Sequence, residues 1–154
     1  MESKIVKHLN WYYYAMLVLT LLAGTISYYL IIKDIIQPIN PMTTIGQVIQ
    51  YFVILDAIIT VPLGLYGFKR ICDKLRTLEN EEIKYKQYQK WAAWRIVLVS
   101  NAMIFAISAF YLLGAYQSML WIAAISAIGW YFTKPTQGKM LQELRPKSEN
   151  EETY

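Results

Sequence analysis

Four long apolar runs constrain this chain more than any other feature of its sequence. They cover residues 11–32, 44–68, 91–114 and 117–133 and contain only two charged residues, Asp56 and Arg95. A helix needs roughly 20 mostly apolar residues to cross the ~30 Å hydrocarbon core of a bilayer. The last run has only 17 residues. The pattern therefore predicts an all-α polytopic membrane protein, a bundle of four transmembrane helices.

The basic residues fall almost entirely on one side of this predicted bundle. Thirteen of the 15 Lys and Arg residues lie in the N-terminus, in the 69–90 loop or after residue 133. The positive-inside rule therefore predicts a cell-membrane protein with both termini and this loop in the cytoplasm. Because the charge forms a rim at one membrane surface, we expect it to meet anionic lipid headgroups. It does not indicate a nucleic-acid partner.

Aromatic residues mark the same predicted cytoplasmic interface. Trp11 opens the first run, Trp91 and Trp94 open the third, and Trp130 closes the fourth. Amphipathic rings at these positions are typical of the belt that tryptophans form at headgroup level. Arg95 lies only four residues into its run. We therefore expect its long side chain to extend to the cytoplasmic headgroups.

The loop 69–90 is predicted to be a helical hairpin. Ile71, Leu75 and Leu78 follow the spacing of one helical face. Asn80 is a good N-cap residue, and the two glutamates that follow it favour the first turn of a helix. The second and third helices should therefore continue beyond the membrane. Such a hairpin either docks a partner protein or closes on itself as a solvated extension.

The chain is predicted to form a single domain over residues 1–145. A short helix is expected around residues 139–144, at the membrane surface. Residues 146–154 contain Pro, Ser, Asn and several Glu residues. This composition cannot bury enough apolar surface to fold, and it predicts a disordered cytoplasmic tail.

The sequence contains few residues that could carry out chemistry. His8 is the only histidine and Cys72 the only cysteine. A zinc site and a histidine-based catalytic triad both need more than this. No phosphate-binding glycine motif or metalloprotease motif is present in the sequence. We therefore expect no catalytic residue, no metal site and no cofactor, and we do not expect an enzyme.

Asp56 is the only acidic residue within the four apolar runs. It lies 12 residues from each end of its run, near the bilayer midplane. An ionised carboxylate there costs at least ~2.5 kcal/mol, so it should face the bundle interior and find a partner. Counted from the cytoplasmic boundary, Asn101 is ten residues deep and Thr25 fourteen. These depths predict an Asp56–Asn101 hydrogen bond with Thr25 as a third member.

The surroundings of Asp56 suggest either a packing surface or a transport site. Thr60 follows it by one helical turn, and Pro62 removes a backbone hydrogen bond close by. A broken helix beside a midplane acid is a common feature of transporter sites. The alternative is a structural hydrogen bond between two helices.

Two functions fit these features. The favoured one is a non-enzymatic accessory or interaction subunit, which binds a protein partner or a second copy through its helix faces or the 69–90 hairpin. The other is a small proton- or cation-linked transporter in which Asp56 is the titrating group.

Overall fold

The computed structural model of the protein describes residues 2–144, and all regular secondary structure in this part is helical. The predicted tail 146–154 lies outside these residues. A π-helical segment follows the second helix directly. The elements in chain order are α1 Glu2–Ile32, α2 Thr44–Pro62, the π segment Leu63–Gly67, α3 Phe68–Arg76, α4 Glu81–Leu112, α5 Gln117–Phe132 and α6 Gln137–Leu144.

Three of the helical stretches are long and apolar enough to cross a membrane. They are Ser3–Ile32, Thr44–Arg76 and Glu81–Leu112. This agrees with a helical membrane protein. Helix α5 has 16 residues, which at 1.5 Å per residue is about 24 Å. The fourth membrane crossing therefore stays a prediction.

The helix ends follow the local sequence signals. The Asn80 side chain accepts hydrogen bonds from the backbone N–H groups of Glu82 and Ile83, which confirms it as the N-cap of α4. Helix α1 begins at Glu2, so it extends well beyond the predicted run 11–32. The chain from Thr44 to Arg76 is helical without a break, because the π segment joins α2 to α3.

Helix α4 lies at the centre of the fold, with α1, α2 and α5 packed against it. Glycines allow the close approaches. A Cβ atom built on Gly64 would lie 2.7 Å from Val99 Cγ2 of α4, and one on Gly24 of α1 would lie 2.9 Å from Ile107 Cγ2. An apolar core joins α2, α4 and α5 through Val53, Ala106, Ala109, Leu113, Met119 and Ala123. Small residues thus set which helix faces meet.

A second apolar core, here called the basal cluster, lies at the Trp11 end of α1. It joins the first turns of α1 to α3, the start of α4, and α6. Its buried members are Ile5, Val6, Leu9, Tyr13, Phe68, Cys72, Leu75, Tyr88, Ala92, Ile96, Met140 and Leu144. The predicted helix near 139–144 is therefore present as α6, and its apolar face packs against α3.

Candidate functional site

Asp56 lies on the flank of α2 that borders α4. The Phe52 ring contacts the Phe105 ring with centroids 5.7 Å apart, and Gly64 packs on Val99. These two contacts show that α2 and α4 run antiparallel. They bracket Asp56 and Asn101, which therefore lie at about the same level.

Asp56, Thr60, Asn101, Phe52 and Phe105 form what we call the α2–α4 groove. Asp56, Thr60 and Asn101 are half-buried and Phe52 is 57 % exposed. Helix α5 lies on the other flank of α2, where it faces Ile54, Ala57, Ile58 and Val61. The groove is thus open to the surroundings of the bundle.

The Asp56 carboxylate has no partner within the described chain. Its Oδ2 atom is buried and accepts no hydrogen bond from any residue in 2–144. Thr60 Oγ1 donates to the backbone carbonyl of Asp56 at 2.7 Å, not to the carboxylate. The predicted Asp56–Asn101 hydrogen bond is therefore not formed, although the two residues share one groove at one level.

Thr25 lies on a different side of α4, and its predicted place beside Asp56 is wrong. Its hydroxyl donates to the Leu21 carbonyl of its own helix at 2.8 Å. It lines a groove between α1 and α4 with Tyr28 and Ile107. Gly24 lies against Ile107 and the Tyr28 ring contacts the Tyr111 ring, so Thr25 also lies about two helical turns further along α4 than Asn101.

Pro62 is the last residue of α2. The π segment begins at the next residue, and the Leu63 N–H contacts the carbonyls of both Ile59 and Thr60. π-helical segments occur mostly as single turns within longer helices, frequently at functional sites. The buried Gly64 of the π segment lies against α4, one turn beyond Thr60 of the α2–α4 groove.

Arg95 does not extend to the membrane surface as expected, and this prediction is corrected. Its side chain is only 4 % exposed. Nη1 donates to Glu143 Oε1 at 3.2 Å and Nη2 donates to the Thr133 carbonyl at 3.4 Å. The guanidinium carbon also lies 3.9 Å from the centre of the Phe68 ring, within range of a cation–π interaction.

Glu143 is the partner of Arg95, and the sequence analysis did not predict this pair. It lies on α6, 48 residues after Arg95. Its second oxygen, Oε2, accepts a hydrogen bond from the Tyr88 hydroxyl at 2.6 Å. One carboxylate therefore joins α4 to α6 through two buried donors. The sequence signal that could have indicated it is the apolar pair Met140 and Leu144, which turns one face of α6 towards the bundle.

The predicted interfacial tryptophans lie at one end of the bundle. Trp11, Trp91 and Trp94 expose between 42 and 66 % of their surface. Trp130 differs, because its ring stacks on Tyr13 with centroids 4.0 Å apart. This stack joins the start of α1 to the end of α5 and shows that both lie at the same level. The interfacial role of these residues stays a prediction.

The described residues offer no constellation for metal chemistry. Within residues 2–144, no three His, Cys, Asp or Glu side chains lie close enough together to hold a metal ion. Cys72 is a free thiol buried in the basal cluster. The polar features that remain are the α2–α4 groove and the Arg95–Glu143 pair.

Comparison of the chain with protein-family models, with curated proteins and with solved structures finds no match. No residue role is therefore carried over from another protein. The two polar features described above are the basis on which a function can be inferred.

Proposed function

We propose that the chain crosses the cell membrane four times, with both termini and the 69–90 segment in the cytoplasm. The distribution of Lys and Arg supports this orientation. Helix α5 carries no charged residue and packs along α4. A locally thinner bilayer accommodates a helix of this length at modest cost.

We further propose that the protein is a non-enzymatic interaction subunit and that its binding surface is the α2–α4 groove. The observation that carries this proposal is the buried Asp56 Oδ2 atom without a partner in residues 2–144. An intramembrane carboxylate on an open helix flank is costly unless a donor reaches it. A helix from outside the chain can supply that donor.

The groove is favoured over the 69–90 segment as the binding surface. Phe68, Cys72 and Leu75 of α3 and Tyr88 of α4 are buried in the basal cluster. The apolar face of this segment is thus already covered by α1 and α6. The groove, in contrast, leaves the half-buried side chains of Asp56 and Asn101 at a surface that a second molecule can approach.

The partner that the groove fits best is a second copy of this chain. A two-fold axis along the membrane normal brings residues of equal depth together, and one surface serves both copies. Asp56 offers an acceptor and Asn101 a donor at the same level of the groove. In a dimer, the Asn101 amide of each copy donates to the Asp56 carboxyl of the other, and both groups become paired.

Resonance energy transfer between fluorescent tags on full-length chains in liposomes tests this proposal. Asn101→Leu removes both symmetric hydrogen bonds of the dimer. Interhelical hydrogen bonds contribute about 0.6 kcal/mol each on average. We expect the dimer dissociation constant to rise about sevenfold. Asp56→Leu should act similarly, and the double variant should lose no more than either single variant, because the same bonds are removed.

Thr25→Val is the matched control, since it removes one polar group of α1 from the groove between α1 and α4. It should leave the dissociation constant unchanged. Asp56→Leu should not lower the unfolding temperature of the monomer, because no hydrogen bond of the carboxylate within the chain is lost. A wild-type chain that stays monomeric at every protein-to-lipid ratio contradicts the proposal, as does an equal effect of Thr25→Val.

A proton- or cation-linked transporter is the second candidate, and the same uncommitted carboxylate favours it. The π segment about two turns from Asp56 resembles the interrupted helices that line transport sites. Asp56→Asn separates the two functions. It removes the titrating group but keeps an acceptor for Asn101, so it should abolish proton flux in liposomes only if the chain is a transporter. Dimer formation should persist in either case.

A further inference from the structure

A cavity of about 520 Å³ lies beside the basal cluster, where the π segment, α3, the end of α5 and α6 meet. Its lining carries four basic side chains and one acidic one. The basic residues are Lys69, Arg76, Arg95 and Lys139, and the acidic residue is Glu143. The cavity thus has an excess of positive charge.

The acidic groups near the cavity do not neutralise this excess. Glu143 is held by Arg95 and Tyr88, and Asp73 pairs with Arg76 at 3.0 Å. In the described part of the chain, Lys69 and Lys139 have no carboxylate within ion-pair distance. Burial, together with the Arg95 charge, lowers the pKa of the Lys139 ammonium. An anion in the cavity would relieve this repulsion.

Arg95 supplies a second, independent indication of a ligand. The residue is 5 % exposed, and its Nε–H finds no acceptor among residues 2–144. A buried guanidinium donor without a partner is costly. The planar donor set of arginine matches the oxygens of a phosphate group better than any other common anion except a carboxylate.

The remaining lining indicates where such a phosphate would come from. Leu65, Tyr66 and Phe132 also border the cavity. Tyr66 is 74 % and Phe132 56 % exposed. They belong to helical stretches whose apolar faces would meet acyl chains. A soluble phosphate would make no contact with this apolar border. A lipid would place its phosphate against the basic part of the lining and its acyl chains against the apolar part.

We propose that this cavity binds the phosphate of an anionic membrane lipid, with its acyl chains along the exposed faces of the π segment and α5. Basic cavities between helices on the cytoplasmic side of a membrane are suited to such headgroups. The proposal requires only that the apolar helices lie in a membrane. It is independent of the α2–α4 groove and of dimer formation.

Native mass spectrometry of the full chain in detergent, titrated with phosphatidylglycerol or phosphatidylcholine, tests the proposal. We expect saturable binding of phosphatidylglycerol in preference to phosphatidylcholine. The double variant Lys69→Gln/Lys139→Gln should bind phosphatidylglycerol about thirtyfold more weakly, since each lysine near a headgroup contributes about fivefold. This comparison begins with the unaltered chain, so it does not depend on the folding of a variant.

Lys74→Gln/Lys90→Gln is the matched control. It removes the same charge from two exposed lysines that do not line the cavity. It should leave lipid binding unchanged. Equal losses in the two double variants overturn the proposal, because the effect would then be one of net charge. Equal binding of the two lipids overturns it as well. Full displacement of the lipid by an equal concentration of inorganic phosphate overturns the assignment to a lipid.

Discussion

Replacement of Glu143 by leucine should destabilise the fold strongly, because Glu143 is the only carboxylate that the described chain brings to Arg95. The substitution leaves a guanidinium that is 4 % exposed without a counter-ion. It also removes the acceptor of the Tyr88 hydroxyl. Both donors are themselves buried, Tyr88 within the basal cluster and Arg95 beside it.

The magnitude follows from the burial of the pair. Breaking a fully buried ion pair costs about 3–5 kcal/mol. The Glu143 side chain keeps 21 % of its exposure, so we expect the lower end of the range, about 3 kcal/mol. For a chain of this size, each kcal/mol of lost stability lowers the unfolding temperature by about 2–4 °C. The unfolding temperature in detergent should therefore fall by about 6–12 °C.

A double variant separates the loss of the pair from the loss of packing. In the double variant Arg95→Met/Glu143→Leu, the guanidinium that Glu143→Leu leaves without a counter-ion is removed as well, and an apolar pair often replaces a buried ion pair at little cost. The double variant should therefore be more stable than Glu143→Leu alone. Glu82→Gln is the control, because its partner Lys86 is 75 % exposed and the pair should contribute nothing measurable.

Two outcomes would refute the reasoning. If Glu143→Leu shifts the unfolding temperature no more than Glu82→Gln does, α6 does not hold Glu143 against Arg95. If the double variant is less stable than Glu143→Leu alone, the guanidinium contributes through packing on Phe68 and not through its charge. Differential scanning fluorimetry in one detergent measures all four proteins under the same conditions.

Three further predictions concern helix packing, helix capping and membrane orientation. Gly64→Ala should destabilise the protein by about 1–3 kcal/mol, because the new methyl group would lie 2.7 Å from Val99; Gly67→Ala has room and should be neutral or stabilising in the same thermal assay. Asn80→Ala should cost about 1 kcal/mol through loss of the α4 N-cap, measured by chemical denaturation. Reporter fusions should place residue 80 inside and Asn40 outside the cell, and an outside signal at residue 80 would contradict the proposed orientation.

The sequence predicted the positions of the helices well because charges and prolines interrupt its apolar runs. It did not predict which helix lies at the centre. A helix in a membrane is apolar on every side, so no amphipathic stripe marks the face that packs against protein. Small residues carry that information instead. Gly64, Gly129 and Ala106 mark the faces at which α2 and α5 meet α4.

Depth along the membrane was likewise only part of the information that a site requires. Residue counting put Asp56 and Asn101 at one level, and the antiparallel contacts of α2 with α4 agree with this. The same counting also selected Thr25, which lies on another side of α4 and about two helical turns further along it. Rotation about the helix axis decides which residues meet, and four nearly uniform apolar runs leave it undetermined.

Arg95 and Asp56, the two charged residues of the apolar runs, end in opposite situations. Arg95 lies near the end of the bundle, where a charge is cheaper, and it has a carboxylate, a carbonyl and an aromatic ring around it. Asp56 lies near the middle, where a charge is most costly, and its buried oxygen has no partner in residues 2–144. This contrast supports the proposal that the partner of Asp56 comes from outside the described chain. In the proposed dimer, the Asn101 amide of a second copy would provide that partner in the α2–α4 groove.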